Sequence, residues 1–77
     1  MNKQRRKNLM EVIDALENCS LDIECLLDEE QDSYDSIPES LQESERGQLM
    51  ENAIDCLDSA RGSISDAIES IEDAIGS

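Results

Sequence analysis

Apolar residues recur along most of this chain with a seven-residue period. Residues 50–77 divide into four consecutive blocks, MENAIDC, LDSARGS, ISDAIES and IEDAIGS. Each block opens with a large apolar residue (Met50, Leu57, Ile64, Ile71) and carries alanine at its fourth place (Ala53, Ala60, Ala67, Ala74). These are the a and d seams of a coiled coil. The fifth place holds Ile54, Arg61, Ile68 and Ile75, and the seventh holds Cys56, Ser63, Ser70 and Ser77, so one large apolar face has a small flank. Alanine at every d position predicts a helix lying close to its neighbour.

The first half keeps the same period. Leu9, Leu16 and Ile23 stand seven apart, Val12, Cys19 and Leu26 fall between them, and Ile13 and Leu27 lie alongside. This predicts a second long helix with Cys19 packed on the seam and Cys25 and Cys56 nearer the surface. Between the halves the period is lost from Tyr34 to Gly47, where Pro38, Gly47 and several Ser and Asp residues favour turns and caps. Ser36 and Glu39, with Pro38 between them, can start a short helical turn, and Ser44 is a good N-cap for the second long helix. Tyr34 is read as a cap on the core. Gly62 and Gly76 weaken the second helix, and Gly76 marks its end.

The expected fold is all-α, one domain over residues 1–77, with a helix over about 4–33, a bend over 34–44 and a helix over about 45–75. Such helices would be about 40–48 Å long and would fold back as an antiparallel hairpin with an alanine-rich seam. A register placing residue i beside residue about 83 minus i sets large residues against small ones and apolar against apolar. It also brings the basic cluster Lys3, Arg5, Arg6 and Lys7 toward Glu69, Glu72 and Asp73. Each group has the wrong sign for its own helix end, and cross-pairing would cancel the two errors. The apolar stripes are wider than a two-helix seam needs, so a homodimeric four-helix bundle is expected, with Leu16, Ile23, Ile54, Leu57, Ile64 and Ile68 as self-association residues. A target protein docked on the same stripe is the alternative cover.

Composition narrows the chemistry. The 77 residues include 20 acidic and 6 basic side chains, no histidine and one aromatic residue, Tyr34, for a formal net charge of -14. A chain this short has a marginal core, which again favours association. Without histidine there is no Ser-His or Cys-His pair and no imidazole metal ligand, so enzymatic catalysis is not expected, nor a cofactor or metal. The acidic cluster Asp28, Glu29, Glu30, Asp32 and Asp35 lacks the glycine and spacing of a calcium loop. Three cysteines without C-x-x-C spacing read as reduced thiols. No long apolar run and no leader-like N-terminus is present, which predicts a cytoplasmic protein with no membrane contact.

The distribution of charge says more than its sum. Four of the six basic residues lie within residues 3–7, and from Leu9 onward 20 acidic residues face only two basic ones. Carboxylates recur every three or four residues along both helices, about 5–6 Å apart on a helical face, a spacing similar to that of phosphates on a strand. Such a rod suits a Lys/Arg groove built for nucleic acid. The bland alternative is a solvated face that keeps a small helical protein dispersed.

The opening MNKQRRK, the Asp28-Glu29-Glu30-Gln31 run and above all the bend segment PESLQESERG over 38–47 resemble a group of short acidic helical proteins. These are encoded by phages and mobile elements of Gram-positive bacteria, including gut species. The resemblance spans nearly the whole chain and carries no functional residue with it. It implies a bacterial host cell and, by analogy of class, an inhibitor of host defence. The expectation is a non-enzymatic anti-CRISPR or anti-restriction protein that imitates DNA charge on a basic nucleic-acid-handling protein such as Cas9 or a restriction nuclease. Asp14, Glu17, Asp28, Glu29, Glu30, Asp55, Asp58 and Asp66 would stand in for phosphates, without direct contact to nucleic acid. The alternatives are a structural or adaptor hairpin acting through self-association or partner-helix docking, and an acidic antidote to a basic toxin.

Overall fold

The computed structural model describes residues 1–77 and contains three helices, α1 (Lys3–Ser36), α2 (Glu39–Gln42) and α3 (Glu45–Gly76). There is no strand, and the molecule is a rod of 58 × 16 × 12 Å. The termini of each helix follow from local chemistry. Asn2 caps α1, its side-chain oxygen accepting from the Arg5 N–H at 2.7 Å. The helix stops at Ser36 because Pro38 disfavours helical torsions at the residue before it. Ile37 is accordingly extended, with φ -86° and ψ 150°. Ser44 caps α3 by accepting from the Gly47 N–H at 3.3 Å, while its own hydroxyl donates to the Leu41 carbonyl.

The corner is held by side chains as well as backbone. The Pro38 carbonyl accepts from the N–H groups of Leu41 and Gln42 at 2.9 and 3.1 Å and so closes the single turn of α2. Gln42 then reaches back, its amide donating to the carbonyls of Tyr34 (3.0 Å) and Ile37 (3.4 Å). Those carbonyls lie at or just past the end of α1, where backbone partners run out; the Tyr34 carbonyl also accepts from the Ile37 N–H at 3.3 Å. Ser36 does not cap α2: its hydroxyl donates to the Asp32 carbonyl of its own helix at 2.7 Å, and Pro38 holds the N-cap position.

Gly47 is the one buried residue of the chain. A Cβ at this position would lie 2.5 Å from the Leu41 carbonyl oxygen and closer still to that of Gln42. The first turn of α3 therefore rests directly on the backbone of α2, an approach open only to glycine. At Gly62 and Gly76, by contrast, an added Cβ would meet nothing within 4 Å.

Helices α1 and α3 run antiparallel. Tyr34 donates to Glu51, and Arg61 pairs with Glu24. The positions in each pair add to 85, two more than the expected register. At 85 the levels of Lys3 to Lys7 fall beyond Gly76, so the first turn of α1 overhangs the end of α3. This undoes the expected charge pairing: Lys3, Arg5, Arg6 and Lys7 make no ion pair with Glu69, Glu72 or Asp73. The two ion pairs of the chain both belong to Arg61, at 3.1 Å to Asp58 and 3.8 Å to Glu24.

The seam also differs from the expected one. On α1 the half-buried residues are Arg6, Leu9, Ile13, Leu16, Ser20, Ile23, Leu27, Glu30, Gln31 and Tyr34, whereas Cys19 is exposed, as are Val12 (44 %) and Leu26 (54 %). On α3 the half-buried line is Met50, Ile54, Leu57, Arg61, Ile64, Ile68, Ile71 and Ile75. The alanines are its flank, with Ala67 exposed. A stripe three columns wide offers two possible two-column seams. The seam centres on the isoleucine column, with Ala53, Ala60 and Ala74 half-buried at its edge, because the driving force scales with apolar area removed from water. Even so, no apolar residue is buried in the chain.

Candidate interaction surfaces

The seam divides the rod into two sides of different chemistry. One side is flanked by the columns 10/17/24/31 and 14/21/28/35 of α1 and 51/58/65/72 and 55/62/69/76 of α3. It presents Asp14, Glu17, Glu24, Asp28, Asp35, Glu51, Asp55, Asp58, Glu69 and Glu72, all exposed. Shallow grooves cross it, one of them midway along the rod and lined by Glu17, Ser20, Leu21, Ser65 and Ile68. Met10, Ile13, Asp14, Glu17, Glu72 and Ile75 line a second, near the helix ends. Gln31, Tyr34, Glu51, Ile54 and Asp55 line a third, near the corner. Between the latter two Arg61, partnered by Glu24 and Asp58, is the one cation, while Lys3 and Lys7 continue the same α1 columns into the overhanging first turn.

The other side is flanked by columns 12/19/26/33 of α1 and 53/60/67/74 of α3. It presents Val12, Cys19 and Leu26 opposite the alanines, and further round α3 come Leu49, Cys56, Ser63 and Ser70. Neither of these α3 columns contains a charged residue. A groove lined by Leu26, Glu29, Glu30, Ser33, Ala53 and Leu57 marks this side near the corner.

The eight carboxylates singled out from the sequence therefore do not form one patch. Asp14, Glu17, Asp28, Asp55 and Asp58 share the acidic side. Glu29 and the half-buried Glu30 line the groove of the apolar side, and Asp66 is exposed on the back of α3. The six proposed self-association residues, Leu16, Ile23, Ile54, Leu57, Ile64 and Ile68, are half-buried in the contact between α1 and α3 of the same chain. Residues available to a second molecule are instead the flanking Val12, Cys19 and Leu26.

Tyr34 joins the corner to the acidic side. Its hydroxyl donates to the Glu51 carboxylate at 2.6 Å, and its carbonyl receives the Gln42 amide. The phenol pKa is pushed up from 10.0 to about 12. The largest cause is the hydrogen bond to Glu51, which deprotonation would destroy. Burial and the nearby charges of Glu51, Asp35 and Glu43 add to it. Sequence reasoning missed Glu51, Gln42 and Gly47. The first needs the register to be recognised, and the other two need the path of the corner.

No group of three or more His, Cys, Asp or Glu side chains is placed to hold a metal ion, and no helix is long and apolar enough to cross a membrane. The three cysteines are free and exposed. No protein-family model, curated protein or solved structure matches the chain.

Proposed function

We propose that this chain is a non-enzymatic interaction protein whose acidic side occupies a basic, nucleic-acid-binding groove of another protein and so blocks it. The observation that carries this reading is a carboxylate side, running along a rod, on which Arg61 is the one cation beyond the overhanging first turn of α1. A net charge of -14 spread over 58 Å is one negative charge per about 4 Å. A single nucleic-acid strand carries one per about 3.4 Å and a duplex one per about 1.7 Å. The rod thus imitates the charge density of a single strand more closely than that of a duplex. The intended site is a groove that tracks one strand, such as those of nucleases that act on host-invading DNA, Cas9-type and restriction enzymes included, in a bacterial cytoplasm.

Long-range attraction would steer such a rod to its groove, and salt would weaken the association. The test is displacement of labelled single-stranded and duplex DNA from a panel of these nucleases at low and moderate salt. Displacement of the single strand that fades steeply with salt supports the reading. A variant with Asp14, Glu17, Asp28, Asp55 and Asp58 all changed to Lys is expected to lose it while keeping its helical circular dichroism. Unchanged inhibition by that variant would refute charge imitation.

A second reading is favoured by the uncharged side of the rod. The chain acts there as a structural or adaptor hairpin that self-associates into a homodimeric four-helix bundle. The two readings use opposite sides of the molecule and are compatible.

A further inference from the structure

The side opposite the carboxylates is uncovered in the single chain. Val12 and Leu26 are 44 % and 54 % exposed, Cys19 lies exposed between them, and the adjoining α3 columns contain only Ala, Leu, Cys and Ser. We propose that a second copy of the chain covers this side, packed antiparallel, so that the bend of each copy lies beside the helix ends of the other. The proposal rests on the self-association reading and adds to it the face and the polarity.

Area, charge and pattern each support it. The broad side of the rod measures 58 × 16 Å, a footprint of about 900 Å², against about 800 Å² per partner in a stable interface. Charge selects the polarity. Residues 28–46 at the bend hold eight acidic side chains and one basic, whereas residues 1–8 and 69–77 at the other end hold four basic and three acidic. A parallel pair would set two acidic bends side by side. An antiparallel pair sets each bend against the overhanging basic turn, whose Lys3, Arg5, Arg6 and Lys7 have no ion pair within their own chain.

The pattern on α1 is symmetric in the way a two-fold interface demands. Cys19 lies close to the middle of α1. With the axis at its level, facing α1 residues have positions adding to about 38. Val12 then stands level with Leu26 of the second copy, and Arg5 level with its Ser33, which shares a groove with Glu29 and Glu30.

The experiment combines sedimentation equilibrium with double electron–electron resonance on spin-labelled full-length protein. One variant keeps Cys19 alone, with Cys25→Ser and Cys56→Ser. The other carries a single label through Gln4→Cys with all three native cysteines changed to Ser. All these positions are exposed, and circular dichroism checks that the helices persist. The expected result is a dimer with a short distance between the Cys19 labels. Fifteen residues at 1.5 Å each, counted twice, set the Gln4→Cys labels about 45 Å apart along the rod. Short distances at both labels would overturn the antiparallel polarity but leave self-association standing. A monomer throughout the concentration range would overturn both. Val12→Glu with Leu26→Glu is expected to abolish the dimer, and Leu21→Glu on the acidic side to leave it intact. The reverse pattern would place the interface on the wrong face.

Discussion

Replacing Gly47 and Gly62 by alanine, one at a time, sets the same chemical change in two opposite environments. Both glycines lie within α3, and alanine in a helix interior is favoured over glycine by about 1 kcal/mol. At Gly62 nothing lies within 4 Å of the new methyl group, so the full gain of about 1 kcal/mol is expected. At Gly47 the methyl would overlap the carbonyl oxygens of Gln42 and Leu41, which are backbone atoms with no rotamer to escape into. Overpacking of this kind destabilises by about 1–3 kcal/mol, with backbone clashes toward the upper end. The steric term wins, and the net effect of Gly47→Ala is a loss of about 1–2 kcal/mol. In a domain of this size each kcal/mol moves the melting temperature by about 4–8 °C. Gly62→Ala should therefore melt higher than the parent and Gly47→Ala lower, by amounts readily resolved in thermal circular dichroism. The three proteins must be compared at one concentration, because association would make the midpoint concentration-dependent. If Gly47→Ala also raised the midpoint, the contact between α3 and the backbone of α2 would be refuted, and Gly47 would be an ordinary helix residue.

Tyr34 is the sole tyrosine, so its ultraviolet titration is unambiguous. The midpoint should lie near 12 in the parent and fall toward 10 in Glu51→Gln. Because the folded pKa is the higher one, this contribution to stability is complete below about pH 10 and is lost as pH rises toward 12. A midpoint at the ordinary value would deny the Tyr34 to Glu51 hydrogen bond. Ser44→Ala removes the cap of α3 and should reduce stability by about 1 kcal/mol in chemical denaturation; no change would mean that Ser44 does not hold the first turn. Arg61→Ile replaces the one charged residue in a column otherwise made of isoleucine. Its exposed ion pairs are worth about 0–1 kcal/mol, less than the gain from covering an isoleucine on a half-buried seam, so a modest rise in melting temperature is expected. A fall would show that the Glu24–Arg61–Asp58 cluster ties the helices together more strongly than surface pairs usually do.

The helices were legible in the sequence because their causes are local. A seven-residue apolar period, a serine before Glu45 and a proline after Ile37 act within a few residues of where they stand, and the all-α, elongated fold follows from them. The candidate surface was legible only in part. The surplus of carboxylates is a matter of counting, but which of them share a side with Asp14, Glu17, Asp28, Asp55 and Asp58 depends on which columns face inward.

That choice belongs to the tertiary structure. The repeats of α3 carry Ile54, Ile68 and Ile75 next to the alanines, and either column could have joined Met50, Leu57, Ile64 and Ile71 at the seam. Packing against α1 took the isoleucines, because covering larger side chains removes more apolar area from water. The alanines were left at the edge of the seam, with Ala67 exposed, beside Val12, Cys19 and Leu26, and the uncharged side came into being. Gly47 teaches the same lesson at the corner. In the sequence it is one more residue of a turn-rich stretch, and its necessity arises only where α3 meets the backbone of α2. Local periodicity determined that this chain is helical; contacts between residues far apart in sequence decided which side of each helix meets the other and which is left for a partner.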